Sequence, residues 1–137
     1  MKKIGIIGSR RRDSKEDYDI LLKAFLDIYE AGDELVSGGC YKGGDAMCEK
    51  IAKEHQIPIK IYYAQWDKLG KGAGFARNTY IARDSDVLIA LVAHDREGGA
   101  EDTIKKAEKM GKKIILLTVD KTESNPTKPT SDDLFSV

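Results

Sequence analysis

Three glycine-bearing turns carry the residues best suited to chemistry, and each follows an apolar run and precedes a helix-like pattern. They are Gly8-Ser9-Arg10 after Lys3-Ile4-Gly5-Ile6-Ile7, Ser37-Gly38-Gly39 with Gly43-Gly44-Asp45 after Glu34-Leu35-Val36, and Gly98-Gly99-Ala100-Glu101-Asp102 after Val87-Leu88-Ile89-Ala90-Leu91-Val92. Glycine permits positive φ and lets backbone N–H groups come close to a ligand, while the helix that follows presents the positive end of its dipole. Together these turns describe an anion cradle, most often one for phosphate.

The first turn offers backbone amides, a hydroxyl and the Arg10 guanidinium, which grips phosphate bidentately. Its spacing, Gly5-x-x-Gly8, is not the dinucleotide GxGxxG pattern, so a standard NAD-type site is not expected. Arg11 and Arg12 read as a solvated charge run, Arg10 as the functional member. The second turn has four glycines within positions 38 to 44. That is more than turn geometry needs and suggests close approach of a ligand. Asp45 there either caps the following helix or holds a ribose hydroxyl. Cys40 reads as inert packing.

Between the second and third turns, Arg77-Asn78 follows Gly72-x-Gly74 by one helical turn, which aims a cation and an amide at the same crevice. Trp66 reads as an anchor of this loop in the core, with stacking on a base as the alternative. In the third turn Glu101 and Asp102 are favoured by the helix dipole whatever their role; if functional, they meet a ribose hydroxyl or a protonated ring rather than phosphate. His94 reads as a surface loop residue, and Asp84 and Asp86 as capping or surface groups at the entry to the fourth strand.

These residues need a scaffold, and the pattern of apolar runs supplies one. Runs at 3 to 7, 34 to 36, 57 to 63, 86 to 92 and 113 to 119 are short and rich in Ile and Val, as buried parallel strands are. Tyr18, Leu21, Leu22, Phe25, Leu26 and Tyr29 recur at helical spacing before the stop at Ala31-Gly32. Weaker helical patterns cover 44 to 55 and 100 to 110, and another begins near Phe75. Alternating strands and helices predict an α/β fold: Rossmann-like, doubly wound, with a five-stranded mainly parallel sheet in the order 3-2-1-4-5. In that order the chain reverses between strands 1 and 4, so the first and third turns flank one crevice with the second beside them.

The 137 residues suit one domain, expected over 1–119, with 120–137 as a flexible, aperiodic tail. Lysine plus arginine and aspartate plus glutamate number 23 each, so no global field recruits nucleic acid or an acidic membrane. Two cysteines and two histidines without a ligand spacing give no zinc pattern, and no cofactor is expected. The start is too short and glycine-rich for a signal h-region, and no apolar stretch reaches membrane-span length. A cytoplasmic setting is expected.

In order and spacing these motifs resemble the SLOG superfamily, specifically its small YspA-like, YpsA-related branch of nucleotide-binding Rossmann-like proteins. The resemblance covers roughly 1 to 119. It rests on Gly8-Ser9-Arg10, Ser37-Gly38-Gly39 with Gly43 and Asp45, Ala64 to Trp66 with Gly70, Gly74-x-x-Arg77-Asn78, Asp86-x-x-Ile89-Ala90 and the late Gly-Gly turn with Asp102. It implies a pocket for a nucleotide or nucleotide-derived ligand, in a sensor or carrier, built from Gly8, Ser9, Arg10, Ser37, Gly38, Gly39, Gly43, Asp45, Arg77, Asn78, Gly98, Gly99 and Ala100.

The chain departs at the late turn from the family it resembles. The family usually has Gly-Thr where this chain has Gly99-Ala100. Lonely-Guy phosphoribohydrolases, catalytic relatives that cleave nucleoside monophosphates, carry Pro-Gly-Gly-x-Gly-Thr-x-x-Glu in this region. Aligning their Gly-Thr with Gly99-Ala100 puts Thr103 in the place of their glutamate. An enzyme of that class would use Arg77 to position phosphate and Glu101 or Asp102, by a shift of register, to stabilise the sugar cation or activate water. A more distant similarity to DprA implies single-strand nucleic-acid binding; the balanced charge and few aromatics argue against it. These residues are also compatible with a homodimer in which Arg77 completes a neighbour's site.

Overall fold

A computed structural model describes residues 1–40, 43–93 and 99–118. Gly98, His94 and the expected tail over 120–137 lie outside the described residues. Five strands, β1 (Lys3–Gly8), β2 (Glu34–Ser37), β3 (Ile59–Ile61), β4 (Val87–Leu91) and β5 (Lys113–Leu117), form one sheet in the order β3-β2-β1-β4-β5. Every neighbouring pair is parallel. The expected Rossmann-like topology is therefore present, with all strand pairs parallel.

Alternation along the strands divides the core between two faces. Ile4 and Ile6 of β1, with Leu35, Ile89 and Leu91, pack under α1 (Lys15–Ile28) and α2 (Gly44–His55) through Leu21, Phe25, Cys48 and Ile51. Ile7, Val36, Leu88 and Ala90 pack under α4 (Ala73–Asp84) and α5 (Gly99–Lys109) through Ile81, Ala82, Ile104 and Ala107. Successive side chains of a strand point to opposite faces, so a continuous Ile/Val run is what a sheet covered on both sides requires.

Each helix begins where local chemistry allows. Ser14 and Asp17 form a capping box at the start of α1, the serine hydroxyl accepting from Asp17 N–H at 3.1 Å and the Asp17 carboxylate from Ser14 N–H at 3.2 Å. The link from β3 to β4 holds a four-residue α3 (Trp66–Leu69) and a 3₁₀ turn (Gly70–Gly72) before α4. Strand β3 is shorter than the expected run 57 to 63. Ile57 N–H is spent on Ala52 O at the end of α2, and Pro58 has no N–H to give the ladder.

At the amino ends of the central strands, Asp86 fixes β1 against β4: Lys3 N–H donates to Asp86 Oδ2 and Asp86 N–H to Lys3 O, both at 2.8 Å. Asp84 is bound by Tyr62 and Arg83 at the far end of α4. Both aspartates lie at the end of the sheet opposite the glycine turns. No helix among the described residues is long and apolar enough to cross a membrane.

Candidate functional site

The carboxyl ends of β1 and β4 part at the point where the strand order reverses, and a cavity of about 790 Å³ opens there. That volume lies within the range of small-molecule pockets. All three glycine turns reach its wall: Gly8, Ser9 and Arg10 after β1, Gly38 and Gly39 after β2, and Gly99 and Ala100 opening α5. Arg77, Asn78 and Asp45 complete the polar lining. Ile7 and Ile81 supply apolar floor, while Tyr63, Trp66, Lys71 and Phe75 stand at the exposed rim.

The first turn is held open by its own backbone. Ser9 N–H donates to Leu91 O at 2.9 Å, tying it to β4, and Arg12 N–H returns to Ser9 O at 3.0 Å. Ser9 Oγ accepts Arg11 N–H at 3.1 Å. Arg10 is exposed on the cavity wall and has no side-chain partner among the described residues. Arg12 corrects the expectation of a solvated run. It is buried, donating from Nε to Asp17 Oδ1 at 2.6 Å and from Nη1 to Val92 O at 2.8 Å. A charge withdrawn from water needs such partners, and the bond to the Val92 carbonyl joins the start of α1 to the end of β4.

The second turn divides its expected roles. Ser37 is fully buried, its hydroxyl 3.4 Å from Asp45 O, and it is not on the cavity wall. Gly43 is the N-cap of α2, with φ of 74° and its N–H donated to Asp13 Oδ1 at 3.0 Å. A Cβ there would sit 2.7 Å from Ser9 O. Gly43 and Gly44 are therefore glycine because the chain itself passes close by, so part of the glycine excess serves packing rather than a ligand.

Asp45 does not cap α2. Its carboxylate turns to the preceding loop, where Oδ2 accepts Cys40 N–H at 3.1 Å, and it lines the cavity. Burial pushes its carboxyl above the ordinary range, against the Cys40 N–H bond and the nearby Arg77 charge that pull it down. Arg77 donates from Nη1 to Gly38 O at 2.6 Å and from Nε to Asn78 Oδ1 at 2.9 Å. Asn78, also buried, donates from Nδ2 to Asp102 Oδ2 at 3.1 Å. A polar seam thus runs from the second turn through α4 to α5.

Among the expected catalytic residues, Arg77 reaches the cavity wall; Glu101 and Asp102 are not part of it. The Asp102 carboxylate is held by Asn78 and by Lys106, which also reaches Phe75 O at 3.2 Å. Trp66 overturns the expected core anchor. It is 61% exposed, because its four-residue helix seats it at the cavity rim. Cys40 is half-buried on the wall, whereas Cys48 is buried, which pushes its thiol up.

Thr103 and Tyr63 lie on the wall without having been expected there. Spacing gives a signal for the first, since Thr103 follows Gly99 and Ala100 by four and three residues and shares their helix face. No such signal marks Tyr63, two positions beyond the last residue of β3. Among the described residues no group of three or more His, Cys, Asp or Glu is placed to hold a metal ion. Comparison with family models, curated proteins and solved structures yields no match to this chain.

Proposed function

We propose that this protein binds a nucleotide or nucleotide-derived small molecule in the cavity between β1 and β4, as a sensor or carrier of the SLOG kind. The observation that carries the reading is the convergence of three separate turns, Gly8–Arg10, Gly38–Gly39 and Gly99–Ala100, on one cavity of about 790 Å³. That cavity also exposes the Arg10 guanidinium, which has no partner among the described residues. Backbone amides at the start of α5 and this guanidinium favour a phosphate; exposed Trp66, Tyr63 and Phe75 at the rim favour a planar base. Their order along the chain supports the family resemblance.

Glycosidic hydrolysis is the weaker reading. Asp102 is spent on Asn78 and Lys106 away from the wall, and Thr103 stands on the wall where the glutamate of the Lonely-Guy motif would align. Oligonucleotide binding is the less favoured reading because 23 lysines and arginines are balanced by 23 aspartates and glutamates.

Thermal melting against nucleoside 5′-monophosphates, nucleosides and free bases tests the proposal. A ligand at a hundredfold excess over its Kd stabilises by about 2.7 kcal/mol, so a binding monophosphate raises Tm by several degrees while free bases do not. Equal or absent shifts across the whole panel would remove the reading.

A further inference from the structure

Two aromatic rings at the cavity rim stand without partners. Elsewhere Phe25 pairs with Tyr29 and Tyr62 with Tyr80, while lysine ammonium groups cover the rings of Tyr18 at 4.4 Å and Phe75 at 5.5 Å. Among the described aromatic residues, only Tyr63 and Trp66 have neither a ring nor a cation against them. Both line the cavity, and they are 65% and 61% exposed. A tryptophan this open is uncommon, since the indole gains much by leaving water.

Glycines set the position of each ring. A Cβ on Gly39 would fall 2.6 Å from Tyr63 Cδ1 and Cε1, so the ring fills the space that a side chain at position 39 would take. The tip of the indole, Cη2, lies 3.5 Å from the corresponding point at Gly74 in the first turn of α4, and Arg77 Nη2 lies 3.9 Å from that point. Arg77 links the two places, because its Nη1 donates to Gly38 O at 2.6 Å, next to the glycine against Tyr63. Gly38, Gly39, Gly74 and Arg77 all belong to the cavity wall. Two open π surfaces and a planar guanidinium therefore border one stretch of the cavity.

Such a surface selects a flat, delocalised group, because bases stack on aromatic rings and on guanidinium planes alike. A purine, with two fused rings, covers more of it than a pyrimidine. We propose that Tyr63 and Trp66 form the base-binding subsite of the cavity and that the base they take is a purine. This deepens the nucleotide reading and rests on it. Tyr63 and Trp66 thereby act as specificity-determining residues.

Trp66 is the single tryptophan of the chain, so its fluorescence reports on this subsite alone. Wild type is titrated with the four nucleoside 5′-monophosphates and with ribose 5-phosphate, followed by tryptophan emission and by calorimetry. The purine monophosphates should quench Trp66 saturably and bind about tenfold or more tighter than the pyrimidine ones, while ribose 5-phosphate leaves the emission unchanged. Trp66→Ala and Tyr63→Ala should each weaken purine monophosphate binding by about tenfold and narrow the purine preference, with Trp66→Phe retaining most of the affinity. The unliganded Tm of Trp66→Ala should match wild type, since an exposed ring contributes little to the fold. Monophosphate binding that leaves Trp66 emission unchanged, equal affinity for purines and pyrimidines, or equal affinity in wild type and Trp66→Ala would each overturn the inference while leaving nucleotide binding intact. Failure of wild type to bind any of the four monophosphates would remove the nucleotide reading and this inference with it.

Discussion

Gly44, in the first turn of α2, lies so close to Gly8 at the end of β1 that a Cβ added to it would fall 2.7 Å from Gly8 Cα and closer still to Gly8 N. The helix and the strand meet backbone to backbone beside the cavity. Nothing on the strand side can move aside without disturbing the β1–β4 ladder, so Gly44→Ala is predicted to destabilise the fold by about 3 kcal/mol or more, the upper end of overpacking penalties. Gly72→Ala provides the contrast: its surroundings are open and its φ is −80°, so it should be neutral or stabilising by up to about 1 kcal/mol. Urea unfolding of the two variants checks both signs.

Much of this arrangement is legible in the sequence because it depends on local pattern. Continuous runs such as Val87–Leu91 announce a strand buried on both faces, and the alternating order of strands and helices leaves few topologies. The turns that reach the cavity are legible for the same reason, since switch-point geometry places any glycine turn after β1 or β4 at the crevice. What sequence hides is the partner. Arg12 looks like its neighbours until Val92 O, 80 positions away, is brought against it. Asp45 reads equally as a cap or as a ribose ligand, and only the fold decides against the cap, because the loop from Gly38 to Cys40 folds back to claim its carboxylate. Trp66 reads as core because large aromatics usually are, but a helix of only four residues has no room to bury it.

Acid sensitivity should centre on Asp33, which sits under the first residues of the chain. Burial alone would raise its carboxyl, but hydrogen bonds from Lys2 Nζ at 2.6 Å, Lys2 N–H at 2.8 Å and Glu30 N–H at 2.9 Å outweigh that and hold it at about 2. Its ordinary value is 3.8, so the folded state favours the ionised form. The stability this contributes is fully present above about pH 4 and is lost as pH falls toward 2. Asp33→Asn should therefore lower Tm at neutral pH, with the difference from wild type shrinking across that window. A gap that stays constant from neutral pH down to 2 would show that the linkage is absent.

Asp102 separates a binder from a hydrolase. Its carboxylate joins Asn78 on α4 to Lys106 on its own helix, so its role in the structure is to hold the two helices together. Asp102→Asn should leave nucleoside monophosphate affinity within about threefold of wild type, the change expected for a neutral isostere that keeps most of the contacts. Wild type should release no ribose 5-phosphate from nucleoside monophosphates. If the carboxylate were an acid–base catalyst, release would occur and the variant would slow it by about 100-fold or more.

The most direct measurement of phosphate-led binding is calorimetric titration of wild type and Arg10→Ala with the four nucleoside 5′-monophosphates and their nucleosides. Arg10 is the exposed cavity guanidinium with no partner of its own among the described residues, so its removal perturbs the ligand more than the fold. The predicted result is that wild type binds at least one monophosphate about tenfold or more tighter than its nucleoside, and that Arg10→Ala weakens that binding by about 1.5–3 kcal/mol with an unchanged Tm. Binding that is equal with and without the phosphate, or equal in wild type and Arg10→Ala, would contradict the account.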